Sequence, residues 1–134
     1  MIKDVIDFLM RTSDTFLATS INNVPKVRPM VVFPIDENGI IWFFTGKNKN
    51  LWKELNVNPL IEFSTYDGEL KWIRVSGEVK LIDNLEVKTI IFNLLPNIRG
   101  IYSSPSDPNF ATFCLEHWTA TIYNFALPPM TYNC

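Results

Sequence analysis

Apolar residues recur every three or four positions in three segments of the chain, which is the spacing of one helix face. The pattern predicts short helices over residues 2–12, 51–56 and 85–95. In the first segment Ile2, Val5 and Leu9 lie on the apolar side of an amphipathic helix. Asn58-Pro59 ends the second helix because proline cannot continue it, and Asp83-Asn84 caps the third.

Runs of β-branched and aromatic residues predict six strands. They cover residues 15–20, 26–35, 40–45, 60–66, 70–81 and 110–125. Turn sequences at 36–39 (Asp-Glu-Asn-Gly) and at Asp67-Gly68 make two hairpins, which favours antiparallel pairing. Pro29 cannot donate a ladder hydrogen bond, so the second strand has an edge or a bulge there. Residues 96–109 are expected to form an irregular loop, and 126–134 a loose tail.

The order of these elements predicts a mainly β fold with flanking helices. Six strands can close into a small antiparallel barrel, which removes exposed sheet edges. The chain has 134 residues, about one domain on the usual scale of roughly 100–200 residues. No repeat or linker divides it, so we expect a single domain over 1–134.

Composition excludes several classes of protein. Apolar residues make up 47% of the chain, so it can bury a core, which disordered chains cannot do. The net charge of −2 argues against a nucleic-acid partner, which would need a basic surface. No apolar run approaches the roughly 20 residues of a membrane span. The N-terminal residues include acids where a signal peptide would be basic, so a cytoplasmic protein is expected.

The sequence offers no recognisable set of catalytic or metal-binding side chains. His117 is the only histidine, and the two cysteines, Cys114 and Cys134, are far apart, so no metal site is expected. The acidic residues show no general acid/base pairing. The serines lack a Gly-x-Ser-x-Gly frame, so catalytic residues are not assigned.

The most informative segment is 43–50, Phe-Phe-Thr-Gly-Lys-Asn-Lys-Asn. A strand ends there, and Lys47 and Lys49 stand at the opening of the second helix. Free backbone N–H groups and a partial positive charge at a helix start, together with Thr45 and two ammonium groups, make a receptor for a phosphate. The alternative is a solvated turn that happens to contain lysines.

Arg28 is an isolated arginine on an apolar strand, between Val27 and Pro29. A buried guanidinium is costly unless an anion pairs with it. If the strand of Arg28 continues its hairpin with the next strand, Arg28 lies near the level of residues 46–48. The two cationic features then converge on one place. The alternative is an exposed Arg28 at a sheet edge.

Trp72 and Arg74 are two residues apart on the fifth predicted strand and therefore share one face. Such a face is typical of a surface that contacts a flat group or another subunit. The alternative is a partly exposed barrel exterior.

Five short motifs occur in an order that resembles a known family. They are Phe16-Leu17-Ala18-Thr19, Pro25-x-x-Arg28-Pro29-Met30, Trp42-Phe43-Phe44-Thr45-x-x-x-Lys49, Leu55-x-x-Asn58-Pro59 and Trp72-Ile73-Arg74-Val75-Ser76-Gly77. Together they are similar to the pyridoxamine 5′-phosphate oxidase-related, FMN-binding split-barrel family. The resemblance is to its small single-domain branch, which includes nitroimidazole-reductase-like proteins.

The resemblance implies a six-stranded antiparallel split barrel that forms a homodimer, with FMN in clefts between the subunits. The FMN phosphate would be bound by Arg28, Thr45, Lys49 and Asn50, with Lys47 as an extra phosphate-binding residue. The backbone of Pro29, Met30 and Val31 would meet the polar edge of the flavin. The partner subunit's Trp72 or Trp118 would flank the flavin ring.

The implied activity is hydride transfer through FMN from a donor such as NAD(P)H to a small electrophile, a nitroaromatic or a quinone. A flavin-binding module or sensor without catalysis is an alternative, as is a different phosphorylated or deazaflavin cofactor. Oxidation of pyridoxamine phosphate is a further alternative. It is disfavoured because no Lys or Arg follows Arg99, where longer family members carry a substrate-binding arginine.

Overall fold

The structure is a computed structural model that describes residues 2–34 and 38–134. The helices are α1 (Ile2–Arg11), α2 (Asn50–Val57) and α3 (Leu85–Leu94), with a short 3₁₀ helix over Pro96–Gly100. The strands are β1 (Asp14–Ile21), β2 (Val24–Val31), β3 (Ile41–Gly46), β4 (Leu60–Tyr66), β5 (Lys71–Glu78), β6 (Phe110–Leu115), β7 (Thr119–Asn124) and β8 (Leu127–Asn133). No described helix is both long and apolar enough to cross a bilayer.

Two antiparallel sheets make a barrel that is nearly closed. One has six strands in the order β2-β1-β4-β5-β7-β8, and the other pairs β3 with β6. Single bridges, Phe33 with Trp42 and Lys80 with Cys114, join the two-stranded sheet to the ends of β2 and β5. β1 to β6 therefore surround the core, and β7 and β8 extend the larger sheet. The predicted class, mainly β with flanking helices and a six-stranded antiparallel split barrel, is confirmed.

Alternation along the strands fills the barrel with large apolar side chains. In β1, Leu17 is buried whereas Phe16 on the opposite face is exposed, as the two-residue period of a strand requires. At the centre, the ring of Phe43 stacks on Phe113 at 4.8 Å and meets the edge of Phe63 at 5.6 Å. This aromatic cluster holds β3 against the larger sheet and so fixes one wall of the site described below.

The C-terminal third differs from the expectation in two ways. The predicted last strand over 110–125 is two strands, because the chain turns between β6 and β7 and crosses to the other sheet. The predicted loose tail is strand β8, which pairs with β7. This strand contains two prolines, Pro128 and Pro129. β8 lies at the edge of the sheet and its register with β7 shifts nearby, where a missing N–H group is tolerated.

The expected turn over 36–39 lies partly outside the described residues. Of the described residues there, Gly39 has a φ of +87°, a left-handed conformation that glycine adopts without strain.

Candidate functional site

A cleft of about 470 Å³ opens where β2 and β3 separate. Phe33 and Trp42 exchange two backbone hydrogen bonds of 2.9 Å, which is the register that a hairpin centred on the turn requires. Before Phe33 and beyond Trp42 the strands part: among the described residues β2 forms a ladder with β1 and β3 with β6, and the two belong to different sheets. The expectation that the hairpin continues as far as Arg28 is therefore wrong. The gap between the strands forms the cleft.

The cleft brings together most of the residues singled out from the sequence. Seven of the ten line it, namely Arg28, Pro29, Met30, Val31, Thr45, Lys49 and Asn50. Arg28 and Lys49 thus meet at one cleft even though no strand pairing connects them. Asp14, Thr15, Phe44, Leu51 and Tyr102 complete the lining.

The guanidinium of Arg28 is held by an ion pair within the chain. Its Nη2 donates to Glu54 Oε2 at 2.7 Å, and its Nη1 donates to Thr19 Oγ1 at 2.9 Å and to the Leu17 carbonyl at 3.3 Å. The side chains of Arg28 and Glu54 are mostly buried, at 23% and 18% exposed. Arg28 is therefore neither an exposed edge residue nor reserved for a ligand. Its Nε–H and second Nη2–H make no hydrogen bond with any described residue and stay available to an anion.

The corner between β3 and α2 leaves the start of the helix uncapped. Lys49 is the N-cap residue of α2, no side chain caps the helix, and its first turn carries no acid. The first backbone N–H groups of a helix have no partner inside it and carry partial positive charge. Thr45, just before the corner, is 5% exposed and lines the cleft. Lys49 and Asn50 at the start of α2 therefore line the same cleft as Arg28.

The long segment between α3 and β6 braces this corner. The backbone N–H groups of Lys47 and Asn48 donate to the carbonyl and side-chain oxygens of Asn109, at 2.9 and 3.0 Å. Gly46 is packed so closely that an added Cβ would lie 2.8 Å from Asn48 Oδ1 and 3.1 Å from Asn109 Nδ2. The loop expected over 96–109 is thus in part a fixed wall, and it delivers Tyr102 to the cleft.

The free edge of β2 presents backbone groups to the cleft. Val32 donates its N–H to Ser13, next to β1, whereas Phe33 bonds Trp42 on the other side. Alternation along a strand then directs the N–H and C=O of Val31, and the C=O of Pro29, away from β1 and toward the gap. Pro29 lies at the sheet edge, as its missing N–H predicted.

Three predicted site residues lie outside the cleft. Lys47 points the other way, with its Nζ 3.7 Å from Asp83 Oδ2. Trp72 lies on the outer face of the larger sheet, stacked on Tyr123 at 4.0 Å. The position of Trp118 does not fit the expectation that it flanks a flavin in the partner subunit. It is 3% exposed in the core and its indole donates to the Gly39 carbonyl at 2.7 Å, so it has no surface to offer a partner subunit.

Sequence reasoning missed the residues that the tertiary fold brings to the site. Tyr102 lies in a segment without periodicity, and nothing local links it to a cleft. Glu54 occupies an ordinary polar position of a helix, and only the packing of α2 on β1 places it beside Arg28. Phe44 was inside a recognised motif, and its intermediate burial alone distinguishes it from its fully buried neighbour Phe43.

Acid is expected to loosen the segment that braces the corner. The pKa of Asp107 lies below its ordinary value of 3.8, mainly because the backbone N–H groups of Ser103 and then Asn109 donate to its carboxylate. Because the pKa is lowered, the ionised Asp107 carboxylate stabilises the folded segment at pH values above 3.8. This stabilisation disappears as the pH falls through the folded-state pKa. Amide chemical shifts of Ser103 and Asn109 should therefore titrate together below that value, and Asp107→Asn should abolish the titration. A midpoint above the ordinary value would contradict these hydrogen bonds.

Both the sequence and the fold are similar to those of known proteins. A family model described as pyridoxamine 5′-phosphate oxidase like matches residues 1–113. No curated protein matches the chain. A NimC/NimA family protein from Clostridium acetobutylicum superposes with a TM-score of 0.86 and 29% identity, covering 99% of this chain and 92% of that one.

Two further solved structures share the fold at lower identity. General Stress Protein 26 from Bacillus anthracis has a TM-score of 0.77 and 16% identity, covering 98% of each chain. A pyridoxamine 5′-phosphate oxidase-related, FMN binding protein from Nostoc punctiforme has a TM-score of 0.67 and 14% identity, covering 98% of this chain and 95% of that one. The likeness therefore extends over the whole fold, including β7 and β8, which the family match does not reach.

Proposed function

We propose, from the fact that the chain belongs to the pyridoxamine 5′-phosphate oxidase-like family, that it binds FMN in the cleft between β2 and β3. We propose further that the flavoprotein is an oxidoreductase for a small electrophile. The observation that carries the proposal is the convergence of Arg28, Lys49 and the start of α2 on one cleft. Arg28 comes from β2, whereas Lys49 is the N-cap residue of α2, and a phosphate-sized anion would be a common partner for both.

The charges at the cleft suit a phosphate monoester. Glu54 offsets part of the charge of Arg28, so the attraction is shared with Lys49 and the α2 N–H groups. Hydrogen bonds in which a partner is charged are shorter and stronger than neutral ones. A phosphate at this corner accepts from Lys49, from the spare N–H groups of Arg28 and from the backbone.

The rest of the cleft suits a flat ring with one polar edge. Met30, Val31, Phe44 and Leu51 provide apolar walls. The volume of about 470 Å³ falls within the range of roughly 300–1,000 Å³ for small-molecule sites. The backbone groups of Val31 and Pro29 along the free edge of β2 can pair with the polar atoms of an isoalloxazine.

FMN, when bound, supplies hydride transfer between a reduced nicotinamide such as NAD(P)H and a nitroaromatic or quinone. The chain's own residues bind the cofactor and orient it. Arg28 and Lys49 anchor the phosphate, and the edge of β2 sets the position of the ring. No side chain of the cleft is needed as a nucleophile, because the cofactor carries the chemistry. Such a site accounts for a sequence without a catalytic triad or a carboxylate pair.

A homodimer is the second part of the proposal. The outer face of the larger sheet exposes Phe16 at 60%, Val27 at 65%, Leu60 at 60% and Tyr66 at 52%. The strand register puts Phe16 opposite Pro29, so this apolar face adjoins the cleft. Exposed apolar patches of this kind mark sites of association, and a two-fold pair of such faces would cover both clefts. Tyr66 pairs with Trp72 in the next strand, which extends the face to the tryptophan proposed to flank the partner's flavin.

The test uses purified protein mixed with FMN and then freed of excess ligand. We expect retained flavin absorbance that heat denaturation releases, a light-scattering mass of twice 15.5 kDa, and bleaching of the flavin by NADH or NADPH that a nitroaromatic or a quinone reverses. Failure to retain FMN would overturn the proposal. Retention without bleaching would identify a flavin-binding module, and a monomeric flavoprotein would remove the shared cleft.

A further inference from the structure

The hydroxyl of Tyr102 is a polar group in the cleft that the contacts within the chain do not use. The residue is 3% exposed and lines the cleft, and its hydroxyl makes no hydrogen bond with any described residue. All fully buried side-chain oxygens and nitrogens of the described residues do have partners. The phenol oxygen is therefore at the cleft surface, where a ligand can reach it, while the ring is inside.

The ring of Tyr102 is fixed in place before any ligand arrives. It meets the edge of Phe110 at 4.6 Å and that of Phe44 at 6.4 Å. Its backbone N–H donates to the Ile98 carbonyl at 2.9 Å. A hydroxyl on a ring held in this way is preorganised, so little rotamer freedom is lost when it makes a hydrogen bond.

The hydroxyl lies close to the end of β3, where the corner with Lys49 begins. An added Cβ on Gly46 would be 3.3 Å from Tyr102 Oη, and Gly46 directly precedes the corner that holds Lys49. Burial, with a smaller contribution from the Asp107 carboxylate, raises the pKa of Tyr102 above 10.0. At neutral pH the group is a neutral O–H, which can donate a hydrogen bond to an anion.

We infer that Tyr102 binds the phosphate monoester of the cofactor, with its hydroxyl donating to a phosphoryl oxygen beside Lys49. This inference rests on the proposed function and adds the segment between α3 and β6 as a further element of the phosphate site. This segment belongs to the site because it both braces the corner through Asn109 and carries Tyr102. Tyr102 thus discriminates a phosphorylated flavin from one that lacks phosphate.

The test compares FMN with riboflavin, which carries the same ring without the phosphate. Tyr102→Phe removes one oxygen and keeps the aromatic packing. We expect its Kd for FMN to rise about 10- to 100-fold, the loss typical of a hydrogen bond to a charged group, while the Kd for riboflavin stays within about twofold. Tyr132→Phe is the matched control, because it makes the same change on β8, and Tyr132 does not line the cleft. Quenching of flavin fluorescence measures all the affinities.

A measurement on the unaltered protein makes the test independent of variant folding. The chain has four tyrosines, and with tyrosine labelled at ¹³Cζ the Tyr102 resonance should shift with FMN but not with riboflavin. Equal losses for both flavins in Tyr102→Phe, or an unmoved Tyr102 resonance, would overturn the inference while leaving FMN binding intact. An unaltered protein that binds neither flavin would overturn both this inference and the proposed function.

Discussion

Replacing Arg28 and Lys49 together is expected to reduce FMN affinity by a factor of about 10²–10⁴, because each charge-assisted contact contributes roughly 1.5–3 kcal/mol. Removing Arg28 alone leaves Glu54 mostly buried without its cation, which would weaken the fold for a reason unrelated to the ligand. The informative variant is therefore Arg28→Ala/Lys49→Ala/Glu54→Gln, measured against Glu54→Gln by titration with FMN. Glu54→Gln retains an oxygen that can accept from Arg28.

The matched control is Lys47→Ala. This variant removes the same charge from the same corner, but the ammonium of Lys47 faces Asp83 outside the cleft. We expect its FMN affinity to stay within about threefold of the unaltered protein, because the charge removed is already paired with Asp83 and is screened by salt. If Lys47→Ala weakens binding as much as Lys49→Ala, the phosphate lies on the other side of the corner and the assignment is wrong.

Phe43→Ala is expected to have the largest effect on stability, about 3–5 kcal/mol. The side chain is fully buried and contacts the rings of Phe63 and Phe113, so its removal leaves a cavity at the barrel centre. Since Phe43 lies on β3, the loss also loosens the strand that carries Phe44 and Thr45 into the cleft. Urea unfolding followed by tryptophan fluorescence measures the change.

The control for this variant is Phe125→Ala, which makes the same chemical change at a side chain that is 69% exposed. We expect a cost of about 0.5 kcal/mol or less in the isolated chain, typical of surface substitutions. Comparable losses in the two variants would mean that β3 does not pack on the larger sheet through Phe43. In that case the cleft wall would need another explanation.

Glu54 shows how the fold changes the meaning of a residue. A guanidinium on an apolar strand indicates an anionic partner. The partner present within the chain is the carboxylate of α2. Arg28 nevertheless keeps N–H groups directed at no described residue and lies at the cleft, so the internal ion pair positions the guanidinium without saturating it.

Much of the fold was determined by local pattern. Alternation of buried and exposed residues in β1, the helical spacing in α1 and the prolines at strand edges all act over a few residues, and these elements were predictable. The sequence also determined which residues share the corner between β3 and α2, because a strand that ends at Thr45-Gly46 must place Lys49 at the start of the next helix.

Only the tertiary structure decided how strands far apart in sequence pair. β3 leaves its hairpin partner for β6, a strand more than sixty residues later in the chain, and this separation opens the cleft. The tertiary structure also decided that residues 127–133 add a strand and that Trp118 turns into the core. It likewise brought Glu54 and Tyr102 to the site. Local propensity is set by neighbours in the chain, whereas these contacts depend on which apolar faces find each other when the barrel closes.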